Sequence, residues 1–156
     1  MRIEATINGT QRQFDVAAGD TLLDLLRRSG HYGAKEGCRQ GDCGACTVLV
    51  DGRAVNACLT FAAKVDGHKV TTIEGLAGDG DLHPVQRAFL AEGAVQCGYC
   101  TPGMVLAAVD LLDRTPHPTE QEIRRAIAGN LCRCTGYVKQ VAAIKRAADA
   151  VEGDGE

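Results

Sequence analysis

The chain has 156 residues, a formal net charge of −3, 45% hydrophobic and 24% charged residues, and only 4% aromatic residues. It is long enough to bury one respectable core or two small ones, which must be aliphatic, and it is too apolar to be disordered. It has no basic footprint for nucleic acid, no Lys/Arg run for an anionic membrane and no segment of bilayer length, so neither is an expected partner.

Arg2 to Ile7 alternates, with Ile3, Ala5 and Ile7 on one face, and Gln11 to Val16 forms a second short run; Asn8-Gly9 between them signals a hairpin. From Asp20 to Ser29 the period becomes helical through Leu22, Leu25 and Leu26, with Asp20 or Thr21 as cap, Arg27 and Arg28 in the last turn and Gly30 as the stop. After a glycine-rich cysteine loop, Thr47 to Val50 and Arg53 to Ala57 are β-prone runs joined by Asp51-Gly52, and Lys69 to Ile73 adds one more strand. This is a compact α+β unit over residues 1–76, similar to a β-grasp ferredoxin. Gly78-Asp79-Gly80-Asp81 lies in a linker, residues 77–82.

Residues 83–156 switch to helix formers, with helices expected at about Pro84 to Glu92, Pro102 to Asp113, Thr119 to Ala128 and Val138 to Val151. Thr119-Glu120-Gln121-Glu122 reads as a capping box, and Pro102 suits a first turn, where its missing N–H costs nothing. Leu106, Val109, Leu111, Leu112, Ile123, Ile127 and Ile144 form the expected core. In an antiparallel four-helix bundle with short connections, the first and third loops share one end. Those loops carry Cys97 and Cys100, then Cys132 and Cys134, while Arg114 to Pro118 caps the other end.

The eight cysteines thus form two tetrads, Cys38, Cys43, Cys46 and Cys58, then Cys97, Cys100, Cys132 and Cys134, with none left over. Met1 to Ile7 lacks the apolar stretch of a signal peptide, so a cytoplasmic location is expected, where reducing conditions favour metal binding over disulfides. The first tetrad has the C-x4-C-x2-C…C spacing of plant-type [2Fe-2S] ferredoxins, and its glycines allow close backbone approach with N–H groups aimed at sulfur. Spacing leaves the second tetrad open between a [2Fe-2S] cluster and structural zinc, although C-x-C is unlike a usual zinc knuckle. A helix beginning at Pro102 would turn its positive end toward an anionic cluster. Arg39 and Arg133, beside or between cysteines, either favour a reduced cluster or are solvated or subunit-facing, and Tyr99 and Tyr137 either gate or pack, packing being the expected role. His31, His68, His83 and His117 are scattered, and no Ser-His-Asp group, HExxH helix, GxGxxG turn or Walker loop is present.

GCRQGDCGAC at Gly37 to Cys46 with Asp51-Gly52 and Cys58 downstream, TTIEGL at Thr71 to Leu76, QCGYCTPGM at Gln96 to Met104 and GNLCRCTGY at Gly129 to Tyr137 closely resemble the small iron-sulfur subunit, or the equivalent N-terminal domains, of the molybdenum hydroxylases of the xanthine dehydrogenase and aerobic carbon monoxide dehydrogenase family. The resemblance runs nearly end to end. It implies a plant-type ferredoxin-like domain followed by an all-α domain, each with one [2Fe-2S] cluster, and favours iron over zinc in the second. It also implies an electron path from a molybdopterin centre through the Cys97/Cys100/Cys132/Cys134 cluster, then the Cys38/Cys43/Cys46/Cys58 cluster, to FAD. By position, Gln96 and Cys134 would approach the pterin by hydrogen bonding. Molybdopterin and FAD would belong to a large and a medium partner subunit, in a heterotrimer that is often doubled, and the chain itself would have no substrate-converting site. Val138-Lys139-Gln140-Val141 departs from the family, which often places a more apolar turn there. Three alternatives stand beside this assignment: the small subunit of a reductive member resembling 4-hydroxybenzoyl-CoA reductase, a free two-cluster ferredoxin, and a zinc-stabilised interaction module.

Overall fold

The computed structural model describes residues 1–78 and 80–150. Strands β1 (Arg2–Ile7) and β2 (Thr10–Asp15) form the first hairpin, and β3 (Thr47–Val50) and β4 (Arg53–Asn56) the second. At both tips the two turn residues have positive φ, 49° and 78° at Asn8-Gly9 and 48° and 79° at Asp51-Gly52, which matches the right-handed twist of the flanking strands. Strand β5 (Lys69–Thr71) enters between the hairpins, parallel to β1 and antiparallel to β3, giving the order β2-β1-β5-β3-β4. Val70 is its buried residue, and the chain turns away after Thr71 into a 3-10 turn (Ile73–Gly75), so the strand is shorter than its β-prone residues suggest.

Helix α1 (Leu22–Arg28) takes Thr21, not Asp20, as its N-cap. The Thr21 hydroxyl accepts from the Asp24 N–H at 3.2 Å while Asp24 accepts from the Thr21 N–H at 3.0 Å, a reciprocal cap that holds the first turn. Leu22, Leu23, Leu25 and Leu26 are at most 2% exposed and pack with Ile3, Ala5, Ile7 and Val48 in the first core.

Helices α2 (Pro84–Ala91), α3 (Thr101–Arg114), α4 (Glu120–Ala126) and α5 (Val138–Ala150) enclose a second core around Phe89, Leu106, Ile123 and Ile144. Helix α2 packs on α3 and α5, and α4 on α3 and α5. The Thr119 capping box forms, and α4 ends early, with Ile127 as its C-cap. Of the apolar positions expected in this core, Leu112 alone is only partly buried. The last residue of the expected final helix, Val151, and Asp79 of the expected linker lie outside the described residues.

Strand β3 joins the two cores. Its side chains alternate, so Val48 enters the first core and Leu49 the second, where α3 covers the opposite face of the sheet. Both faces being covered, β3 is a short apolar run without polar alternation. Asp110 of α3, 7% exposed, pairs with Arg53 of β4 at 3.1 Å and with Arg114 of its own helix at 3.1 Å, a second tie across the same boundary. Among the described residues no helix is long and apolar enough to cross a membrane.

Candidate metal centres

The loop from α1 to β3 brings Cys38, Cys43 and Cys46 together, and Cys58 reaches them from the end of β4. Their sulfurs form two neighbouring pairs. In the outer pair, the Cys38 N–H points at Cys43 Sγ, and the N–H groups of Gln40 and Cys43 point at Cys38 Sγ, each at 3.4 Å. The Gln40 and Cys43 N–H groups hold the Cys38 thiol down to about 6, so this cradle favours the thiolate that a metal needs. The inner pair, Cys46 and Cys58, is 3% and 7% exposed; burial pushes the Cys46 thiol up to about 11, with the hydrogen-bonded Cys58 thiol adding to the effect.

The second tetrad forms where the α2–α3 and α4–α5 loops meet, at one end of the helices. The Arg114-to-Pro118 connection lies at the far end of α3, a helix about 21 Å long by its 14 residues. Here too the sulfurs pair: Cys100 with Cys132, partly buried, and Cys97 with Cys134, exposed. Burial pushes the Cys100 thiol up to about 12, with the Cys132 thiol adding to it. At Cys132 burial acts in the same direction, but the Thr135 hydroxyl, 3.1 Å from Sγ, and backbone N–H groups outweigh it and hold the thiol low. Helix α3 begins at Thr101, directly after Cys100, with Pro102 in its first turn as expected, so its positive end adjoins the thiols.

Tyr137, expected chiefly to pack, also acts through its hydroxyl, which accepts from the Cys132 N–H at 2.8 Å and donates to the Asn130 carbonyl at 3.1 Å. Replacing Tyr137 by Phe leaves both groups short of a partner within a part-buried loop. The variant is expected to lose about 1–3 kcal/mol in chemical denaturation of the holoprotein and to lose iron faster from the second site than from the first. Equal loss from both sites counts against a local role.

Two thiol pairs per tetrad suit a dinuclear core, in which each iron takes two sulfurs. A structural zinc ion needs four sulfurs about 2.3 Å from one point.

The two cysteine loops are bonded to each other, which the sequence does not announce. The Leu131 N–H donates to the Cys43 carbonyl at 2.9 Å, so a residue adjoining Cys132 is tied to a cysteine of the other tetrad. Asn130, 4% exposed, donates to the Gly44 carbonyl at 3.0 Å and to the Thr47 hydroxyl at 3.1 Å. Gly103 on α3 lies so close that a Cβ there would overlap the Gly44 carbonyl oxygen. Tyr99 adds a bond from its hydroxyl to the Glu36 carbonyl. GNLC was notable as a cysteine motif; nothing local marked its Asn as a clasp.

Arg39 is held in two ion pairs. Its guanidinium is committed to Asp24 at 2.9 Å and Glu36 at 2.7 Å, while Arg133 is exposed. Gln96 is exposed next to Cys97, on the outer rim that also carries Cys134. Apolar residues border this rim, with Tyr99 47%, Leu131 58% and Val138 68% exposed.

Two family models match adjoining stretches of the chain: a 2Fe-2S iron-sulfur cluster binding domain over residues 5–72 and a [2Fe-2S] binding domain over residues 72–145. The small FeS subunit of nicotinate dehydrogenase from Eubacterium barkeri is 49% identical over 148 residues, covering 94% of each chain. The xanthine dehydrogenase iron-sulfur-binding subunit of Escherichia coli O157:H7 is 51% identical over 137 residues, covering 86% of each. The chain belongs to the small iron-sulfur subunits of the molybdenum hydroxylases. Its fold agrees with that assignment. Quinoline 2-oxidoreductase from Pseudomonas putida 86 superposes with a TM-score of 0.93 at 43% identity, over 100% of this chain and 98% of that one. Aldehyde oxidoreductase from Desulfovibrio gigas gives 0.93 at 41% identity, but there the match takes only 17% of a much longer chain. Two [2Fe-2S] clusters are therefore the cofactors of this subunit, one for each matched region, and the second region is an iron-sulfur domain rather than a zinc module.

Proposed function

We propose that this chain is the electron-transfer subunit of a cytoplasmic molybdenum hydroxylase, holding one cluster on Cys38, Cys43, Cys46 and Cys58 and the other on Cys97, Cys100, Cys132 and Cys134. The observation that carries this reading is the pair of thiol tetrads whose loops share the Leu131-to-Cys43 hydrogen bond. When bound, each cluster accepts and releases one electron. The chain's own residues hold the clusters and fix their separation: Cys132 connects through Leu131 and one hydrogen bond to the backbone of Cys43, and the Asn130 clasp keeps that bond from opening. The units are residues 1–76, a β-grasp ferredoxin-like domain, and 83–156, a four-helix bundle, joined by residues 77–82.

The exposed Cys97/Cys134 pair and Gln96 are assigned to the contact with the molybdopterin of a large partner subunit, and the first tetrad to the side of an FAD-binding medium subunit. The exposed apolar rim of Tyr99, Leu131 and Val138 supports the first assignment, since a subunit that covers it would also exclude water from the outer thiol pair. Electrons pass from molybdopterin to FAD, within a heterotrimer or its dimer.

Purification of the chain with whatever accompanies it tests the reading. About four irons and four sulfides per chain, two paramagnetic species on adding dithionite, and molybdenum and flavin in the copurifying subunits are expected. A colourless protein without iron overturns the cluster assignment, and a fully loaded chain that purifies alone makes it a free ferredoxin. Gln96→Ala is expected to slow electron arrival from the pterin without changing iron content.

A further inference from the structure

We propose that Gln140 is a positioning residue for the outer half of the second cluster site, holding the loop that carries Gln96 and Cys97. The inference rests on the assignment of Cys97, Cys100, Cys132 and Cys134 as cluster ligands.

Gln140 lies in the first turn of α5 and is 1% exposed. Its Nε2 donates to the Ala94 carbonyl at 2.9 Å, and Ala94 is itself 1% exposed, so the side chain serves a backbone acceptor that has no access to water. Only Val95 and Gln96 separate Ala94 from Cys97. Immediately before α5, three residues ahead of Gln140, Tyr137 secures the Asn130 carbonyl and the Cys132 N–H. The segment entering α5 thus holds both cysteine loops, Tyr137 one and Gln140 the other, and through them sets how Cys97 approaches Cys134.

The position of this amide is costly. Gln140 Oε1 is buried with no hydrogen-bond partner among the described residues. Packing alone is better served by an apolar side chain of the same length, which leaves no stranded oxygen. A buried carboxamide is retained where its N–H has a task that methyl and methylene groups cannot perform. The neighbouring Gln96-Cys97 segment is exposed and has no comparable burial to fix it, so its geometry depends on the anchor at Ala94. A change in that geometry alters the backbone dipoles around Cys97 and hence the ease of reducing the cluster it holds.

The test is a comparison of Gln140→Met with Val141→Ala in the assembled enzyme, by EPR and redox titration. Wild-type protein with four irons and two signals establishes the cluster assignment separately. Gln140→Met is then expected to shift the EPR signal of the second cluster and to change its reduced-to-oxidised ratio at fixed potential several-fold, with the first cluster unaffected. Val141→Ala, which trims the same helix without touching the anchor, is expected to lower the thermal midpoint and leave both signals in place. Gln140→Glu keeps the length but lacks the amide donor, and is expected to reproduce the Met variant. Unchanged signals in both Gln140 variants, an equal shift in Val141→Ala, or loss of both clusters together with the fold overturns the proposal.

Discussion

Cys43→Ser is expected to remove the ferredoxin-type EPR signal and reduce the iron content from about four to about two per chain, leaving the second signal intact. The independence has a structural basis. The Cys43 group that reaches the helical half is its carbonyl, which accepts from the Leu131 N–H, and a side-chain substitution preserves it. The helical core also contains none of the first tetrad's cysteines, whereas Cys46 and Cys58 belong to the other core. In stopped-flow experiments with the holoenzyme, flavin reduction is expected to slow far more than reduction of the molybdenum centre. Simultaneous disappearance of both signals would show that the halves do not hold their clusters separately.

Gly44→Ala is expected to be the most damaging single substitution outside the cysteines. Gly44 has φ +66°, and a Cβ there would overlap the Gly129 carbonyl oxygen and lie 2.7 Å from Asn130 Nδ2. The neighbours are backbone and a buried clasp, which cannot swing aside as an exposed side chain can. Gly52→Ala is the control, because φ is similar at +79° and nothing lies within 4 Å of the added methyl. The control is expected to cost about 1 kcal/mol, the conformational penalty alone. Gly44→Ala should cost about 3–5 kcal/mol, a large share of a typical domain's stability, and should also slow transfer between the clusters by separating Leu131 from Cys43. Equal destabilisation in urea titrations would mean that the loops tolerate separation, and the clasp would lose its role.

Electron transfer was legible in one dimension because sulfur ligation of a diiron core demands a particular residue type at restricted spacings, and this chain supplies two such sets. The hairpins were legible for a related reason: Asn-Gly and Asp-Gly tolerate the positive φ that a two-residue turn requires, and few other pairs do. Helix starts at Thr21 and Thr119 followed from side chains that bond to backbone within three residues, whereas the short β5 and the early end of α4 depend on where the chain must turn to pack.

Local chemistry therefore determined the α+β class, the cysteine sets and the hairpin turns, since each is encoded by residues that interact with near neighbours or with a cofactor of fixed valence. Tertiary structure alone decided how the halves meet. Asn130 and Gly44 are 86 positions apart, and Gln140 and Ala94 are 46 apart. No periodicity or motif can report such hydrogen bonds, because the acceptors are backbone carbonyls, present at every residue, and what selects one of them is the packing of β3 between α1 and α3.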